Sequence, residues 1–169
     1  MRYLNAIITR ASSLLVIVAT LSIFLMMVNI IVDVFVRLIF DKPVPATAEI
    51  SAYYYMVAAV FLPLPLVELR GDSIRVDLFY NFFRLKKKRI INLFAYTAHF
   101  LFFAIIFWQT GQDAIAAYIK SDFVDSQIQL YIWPGRFFLP LGFGLAAIVS
   151  ALKIGETLIA ILSVDRQSQ

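Results

Sequence analysis

Long uncharged stretches alternate with short polar ones along this chain. Residues 14–32 and 50–67 carry no charged side chain, residues 90–112 carry a single histidine, and residues 137–152 are uncharged. A helix needs roughly 20 apolar residues to cross the hydrocarbon core of a bilayer. The pattern therefore predicts an all-α integral membrane protein in one domain over residues 1–169, with four transmembrane helices at roughly 12–38, 48–69, 90–117 and 132–160.

A polar connector, residues 70–89, separates the second and third predicted spans. Ile74, Leu78 and Phe82 recur every four residues, which predicts a short amphipathic helix lying in the membrane interface. Gly71 is expected to end the preceding span. The connector closes on a basic cluster that suits anionic phospholipid headgroups: Arg84, Lys86, Lys87, Lys88 and Arg89.

The distribution of basic residues predicts the orientation. Eleven of the 15 lysines and arginines fall in the two termini and the connector, whereas four fall on the opposite side. Lys/Arg-rich loops stay cytoplasmic, so both termini are predicted to be cytoplasmic. We call the opposite end, with loops 41–46 and 121–132, the outer end. A nucleic-acid partner is not expected, because the basic cluster adjoins a membrane span and no folded basic domain accompanies it.

Composition narrows the chemistry. Mean hydropathy is +0.83, there is no cysteine, and His99 is the only histidine. No hydrolase, metalloprotease or phosphate-binding motif is present, so neither an enzyme nor a cofactor is predicted. His99 is interpreted mainly as a polar residue that hydrogen-bonds within a helix bundle or to a partner. A haem shared with a partner is the weaker alternative.

Polar residues gather near the span ends. Asn29, Asp33 and Arg37 share one helix face, and Asp33 and Arg37 have the spacing of an ion pair. Helix anchoring is the favoured interpretation for Arg37 and for Glu49, which begins the second span. The functional alternative is a docking surface on the outer end, formed by Arg37, Asp41, Lys42, Glu49, Lys120, Asp122, Asp125 and Gln127.

Prolines and small residues affect the packing. The sequence LPLPL at 62–66 predicts a kink or a broken cytoplasmic end in the second span. Small residues in a row let another helix, of this chain or of a partner subunit, approach closely. The fourth span carries such a row: Gly142, Ala146, Ala147, Ala151 and Gly155.

Four spans without an internal repeat or a carboxylate pair at mid-membrane are too few for a complete transport path. An accessory subunit is therefore the favoured interpretation. The alternative is a stand-alone four-helix membrane protein, such as a small channel or a self-associating transporter. A channel needs a polar stripe through the whole membrane, and the stripe of the first span stops at Asn29.

Three stretches carry a family resemblance: VDVFVRLIFDKPVPATAEIS, LPLVELRGDSIRVDLF and WPGRFFLPLGFGL. In this order, with four spans, they resemble the DctQ-like small membrane subunit of tripartite ATP-independent periplasmic (TRAP) transporters. Ser73, Ala46 and Ala48 depart from the residues common in that family. The matching positions are Arg37, Glu49, Ile74, Val76, Asp77, Pro140 and Gly142.

The resemblance implies a location and two protein partners. The chain would lie in the bacterial inner membrane and brace a large multi-span subunit that holds the substrate and sodium sites. It would also help a periplasmic substrate-binding protein to dock. The implied cargo is an organic acid, either sialic acid, which overall likeness slightly favours, or a C4-dicarboxylate.

Overall fold

The computed structural model describes residues 2–71, 85–125 and 129–167. Four helical segments are long and apolar enough to cross a membrane: Ala6–Phe40, Thr47–Arg70, Ile90–Lys120 and Trp133–Ile159. The predicted all-α membrane fold with four spans is confirmed. The predicted amphipathic helix of the connector lies outside the described residues.

The first and third spans are single unbroken helices. Helix α1 is Arg2–Phe40 and contains neither glycine nor proline, so nothing in it interrupts the hydrogen-bond ladder. At 39 residues it is about 58 Å long, nearly twice the ~30 Å hydrocarbon thickness. It must therefore tilt or extend into the headgroup region.

The second span is built from four shorter elements. Helix α2 is Thr47–Ile50, a π-helical segment covers Ser51–Met56, helix α3 is Val57–Phe61 and helix α4 is Leu64–Arg70. The break between α3 and α4 falls at Leu62 and Pro63, so the predicted interruption at the prolines is confirmed. Gly71 ends α4 with a left-handed φ of 71°, as expected for a helix-terminating glycine.

The third and fourth spans are joined by a small β-hairpin that the sequence pattern did not predict. Helix α5 is Leu85–Lys120, so the predicted basic residues Lys86 to Arg89 form its first turns. Strand β1 (Phe123–Asp125) pairs antiparallel with β2 (Gln129–Tyr131). Helices α6 (Trp133–Arg136) and α7 (Phe138–Gln167) then form the fourth span.

The second and fourth spans form the centre of the bundle. In the most apolar stretch of each span, the buried share is 39 % in the fourth and 22 % in the second, against 6 % in the first and none in the third. Ala58 and Leu62 of the second span lie in a core cluster with Ala19, and Leu15 and Phe138 pack against it. The outer faces of the first and third spans are therefore left to lipid or to partner subunits.

Two glycines bring the central spans together. A Cβ on Gly135 would collide with the carbonyl oxygen of Tyr53, and one on Gly142 would collide with that of Phe61. Pro65 has no N–H to donate to the Phe61 carbonyl four residues before it, so this carbonyl lies at the proline break. Gly142 thus lets the fourth span lie directly on the interrupted backbone of the second.

The predicted row of small residues divides into two parts. Gly142, Ala146 and Ala147 are buried inside this chain. Ala151 is exposed, and a Cβ on Gly155 would meet no atom within 4 Å. Part of the row packs the chain's own helices, and the other part faces outward.

Replacing Gly142 by alanine should lower the stability of the isolated chain by about 1–3 kcal/mol, because the added methyl group overpacks the contact with the Phe61 carbonyl. Gly155→Ala is the matched control on the same helix. It should be neutral or stabilising by up to ~1 kcal/mol, because alanine favours helix over glycine. Thermal unfolding of the purified chain in detergent measures both variants. Equal melting temperatures would contradict the proposed packing role of Gly142.

Candidate functional site

Asp33 organises the outer end of the first span. Its side chain is 12 % exposed, and its Oδ2 accepts a hydrogen bond from Arg37 Nη2 at 3.0 Å. The predicted ion pair is therefore present. Oδ1 of the same carboxylate accepts a hydrogen bond from the Val44 backbone N–H at 2.7 Å, which sequence spacing did not predict. Asp33 thereby ties the helix to the loop that follows it.

This loop is held in a tight conformation. Asp41 and Ala46 both have left-handed φ angles, 54° and 59°. Residues other than glycine adopt this conformation less readily. The Thr47 hydroxyl donates to the Val44 carbonyl at 3.1 Å. The hydrogen bonds that Val44 makes with Asp33 and Thr47 thus offset the cost of the backbone conformation that reverses the chain between two helices.

A cavity of about 350 Å³ lies between the outer ends of the first and second spans. Arg37 and Glu49, two of the predicted docking residues, both line it. Ser51 also lines it, although its hydroxyl is buried and has no hydrogen-bond partner among the residues that the structure describes. Polar residues from both spans, Arg37, Thr47 and Glu49, thus share one cavity at the outer end.

The third loop presents a second set of charges. Asp122 lies 3.5 Å from Arg136, and its backbone carbonyl accepts a hydrogen bond from Ile132 N–H at 3.0 Å. The Tyr54 hydroxyl donates to the Tyr131 carbonyl, which fastens the hairpin to the second span. Both outer loops are thus held by contacts with helix ends.

The remaining predicted docking residues are distributed as follows. Asp41 and Lys42 are exposed in the first loop, and Lys120 is exposed at the end of α5. Asp125 ends strand β1, and nothing is described of its side chain, while Gln127 lies outside the described residues. The structure therefore brings Arg37 and Glu49 into one site and leaves the other charges spread over the two loops.

A second polar cluster lies near the end of the bundle opposite the outer end, which we call the inner end. The buried Glu68 carboxylate lies 3.4 Å from His99 Nδ1. Lys153 Nζ donates to the Glu68 backbone carbonyl and lies 5.3 Å from the centre of the Tyr96 ring. This cluster connects the second, third and fourth spans, and its His99 contact agrees with the interpretation of His99 as a hydrogen-bonding residue within the bundle.

The sequence pattern does not predict that Glu68 and Lys153 meet. Lys153 lies inside the fourth span, six residues before its end at Ile159. Ionisable residues within spans are costly to bury and usually pair with one another. An acid and a base at comparable distances from the same membrane face are therefore the signal that could have predicted this cluster.

An apolar groove of about 600 Å³ runs between the third and fourth spans. Phe100 and Ala104 line one side, and Gly144, Ala147 and Ala151 line the other. Such a groove can accept apolar side chains or acyl chains. Within the described part of the chain, no three His, Asp or Glu side chains are grouped so that they could hold a metal ion.

Two substitutions of Asp33 separate its contacts. Asp33→Leu should destabilise the isolated chain by about 1–3 kcal/mol, because it leaves the Val44 N–H without its partner. Asp33→Asn keeps an oxygen for that N–H and loses only the ion pair with a mostly exposed arginine, so its cost should stay below ~1 kcal/mol.

Arg37→Gln provides the control, because it removes the same ion pair and leaves the bond to Val44 intact. Thermal unfolding in detergent measures all three variants. A cost for Arg37→Gln equal to that of Asp33→Leu would mean that the ion pair, and not the bond to Val44, holds the loop.

Comparison with known proteins agrees with this architecture. The sequence profile of the family described as tripartite ATP-independent periplasmic transporters, DctQ component, matches residues 26–159 of the 169-residue chain. No curated protein and no solved structure gives a significant match. The matched region contains the outer loops, the inner polar cluster and the spans from mid-helix α1 to Ile159. The chain therefore belongs to the DctQ family, the small membrane components of TRAP transporters.

Proposed function

We propose that this chain is an accessory subunit that braces the large membrane subunit of a TRAP transporter and helps the substrate-binding protein to dock. The family match over residues 26–159 carries the proposal. In this proposal the chain forms one four-span domain in the bacterial inner membrane, with both termini cytoplasmic. It performs no catalysis itself, and any coupling to sodium belongs to the large subunit.

The apolar surfaces of the chain support a bracing role. Leu38 at the outer end of the first span is 81 % exposed, and Ile105 of the third span is 68 % exposed. In hydrocarbon, helix association depends on close packing more than on burial from water, and small residues favour it. The apolar groove and the outward-facing Ala151 and Gly155 are therefore the proposed contact surface for helices of the large subunit.

The proposed cargo is an organic acid, with sialic acid slightly favoured over a C4-dicarboxylate by overall likeness to the family. The acid would be delivered by the binding protein and would cross the membrane within the large subunit. The basic residues at the start of α5 are proposed to contact anionic phospholipid. This lipid contact would help to keep the inner end of the bundle at the membrane surface.

Uptake into proteoliposomes tests whether the large subunit carries the acid and this chain has only an accessory role. Vesicles containing the large subunit together with this chain, supplied with the binding protein and radiolabelled acid, should take up the acid. Vesicles containing this chain alone should take up none, and the two membrane subunits should copurify in detergent. Uptake by the chain alone, against a gradient, would support the stand-alone transporter instead.

Charge reversal tests docking at the outer end. Reversing Arg37, Lys42, Asp122 or Asp125 should slow uptake roughly two- to tenfold at low binding-protein concentration, because charges at the rim of an interface mainly govern encounter. The difference should shrink at saturating binding protein and at high salt. Copurification of the two membrane subunits should be unchanged.

Arg136→Gln is the matched control for Asp122→Lys, because it breaks the same ion pair without reversing the acidic charge. Arg37→Gln serves in the same way for Arg37→Glu. A swap of Asp33 and Arg37 is less informative, since it would also remove the acceptor of the Val44 N–H. Equal uptake by all the reversed variants, at every binding-protein concentration, would eliminate the docking role and leave the bracing role.

A further inference from the structure

The ring of His99 has one side inside the bundle and one side outside it. On the inner side, Nδ1 lies 3.4 Å from each carboxylate oxygen of Glu68. A carboxylate oxygen is an acceptor, so Nδ1 carries the proton and donates it. The contact that one ring nitrogen makes determines the role of the other. In the neutral ring, a proton on Nδ1 leaves Nε2 as an acceptor.

The surroundings of Glu68 stabilise this arrangement. The glutamate side chain is only 4 % exposed, and the Lys153 ammonium group lies against the backbone of the same residue. The acid of the second span therefore has a cation from the fourth span beside it.

Part of the His99 ring is accessible at the surface of the bundle. The His99 side chain is 42 % exposed. Ala95 and Phe102, which share its helix face, are exposed as well. His99 lies nine residues beyond Ile90, about 14 Å along the helix axis from the start of the third span. The imidazole is thus a polar group on an otherwise apolar surface.

A partner helix packed on this face would shield the ring of His99 from water and lipid headgroups. In the described part of the chain, His99 contacts Glu68 and the ring of Phe103, whose centroid is 6.1 Å away, and neither provides a donor for Nε2. A polar atom covered by apolar side chains loses the hydrogen bonds it would make in water, which is unfavourable. A donor from a neighbouring transmembrane helix would remove this cost.

We propose that Nε2 of His99 accepts a hydrogen bond from a hydroxyl, amide or indole N–H group on a transmembrane helix of the large subunit. The inference rests on the proposed function, which supplies that subunit. It adds a specific polar contact at the level of the third span to the apolar surfaces described above. Glu68 acts in it as a positioning residue that holds the proton on Nδ1.

Nitrogen-15 NMR of the chain tests the contact directly, because His99 is its only histidine and yields one pair of ring signals. The chain is labelled with nitrogen-15 histidine, combined with unlabelled large subunit, and compared in lipid with the labelled chain alone. The Nε2 resonance should move on complex formation, while Nδ1 stays protonated. An Nε2 resonance that is the same in both samples, with the complex verified by copurification, would overturn the inference.

Two substitutions distinguish the role of Nδ1 from that of Nε2. His99→Asn places an amide near the position of Nδ1 and does not reach outward, whereas His99→Gln reaches the position of Nε2. The asparagine variant should release the large subunit about three- to tenfold more readily during detergent titration, with little change in the melting temperature of the free chain. The glutamine variant should bind like the wild type and melt at a lower temperature.

Thr97→Val is the matched control, because the Thr97 hydroxyl already donates within its own helix to the Leu93 carbonyl. It should leave retention of the large subunit unchanged. Tight binding by His99→Asn, equal to that of the wild type, would overturn the inference while leaving the accessory function intact. Failure of the wild-type chain to bind the large subunit would overturn the proposed function and the inference with it.

Discussion

The contact between the fourth span and the carbonyl groups of the second span is the interaction on which the rest of the bundle depends. A membrane helix must satisfy its backbone polar groups internally, and prolines in the second span remove two donors from its ladder. Gly135 and Gly142 let a neighbouring helix come down directly on this span at the Tyr53 and Phe61 carbonyls. The neighbouring helix shields the interrupted backbone from lipid.

Polar contacts at each end of the bundle then hold the first and third spans against the second and fourth. At the outer end, Asp33 holds the first loop through the Val44 N–H, and the Tyr54 hydroxyl holds the hairpin through the Tyr131 carbonyl. At the inner end, Glu68 brings His99 and Lys153 together from two other helices. These bonds are directional, so they can fix the positions of helices whose apolar faces slide easily in lipid.

This arrangement suits a component of a larger assembly. The central spans are packed within the chain, while the first and third spans expose most of their apolar side chains. A chain with an internally fixed centre can present long, stiff helices to a partner without rearranging. Its charges at the outer end lie on short loops that are themselves held by hydrogen bonds, which limits their motion relative to the membrane.

The sequence by itself determined the four spans, the break at the prolines, the end of the second span at Gly71 and the pairing of Asp33 with Arg37. Each of these features depends on local periodicity or on the conformational limits of single residues. This information is contained in a short stretch of the sequence. Only the tertiary structure decided that Gly142 faces the Phe61 carbonyl, that Asp33 accepts from Val44, and that Glu68 meets His99 and Lys153. Those contacts depend on how separate helices are rotated and shifted along one another, and a periodic apolar pattern does not specify either quantity.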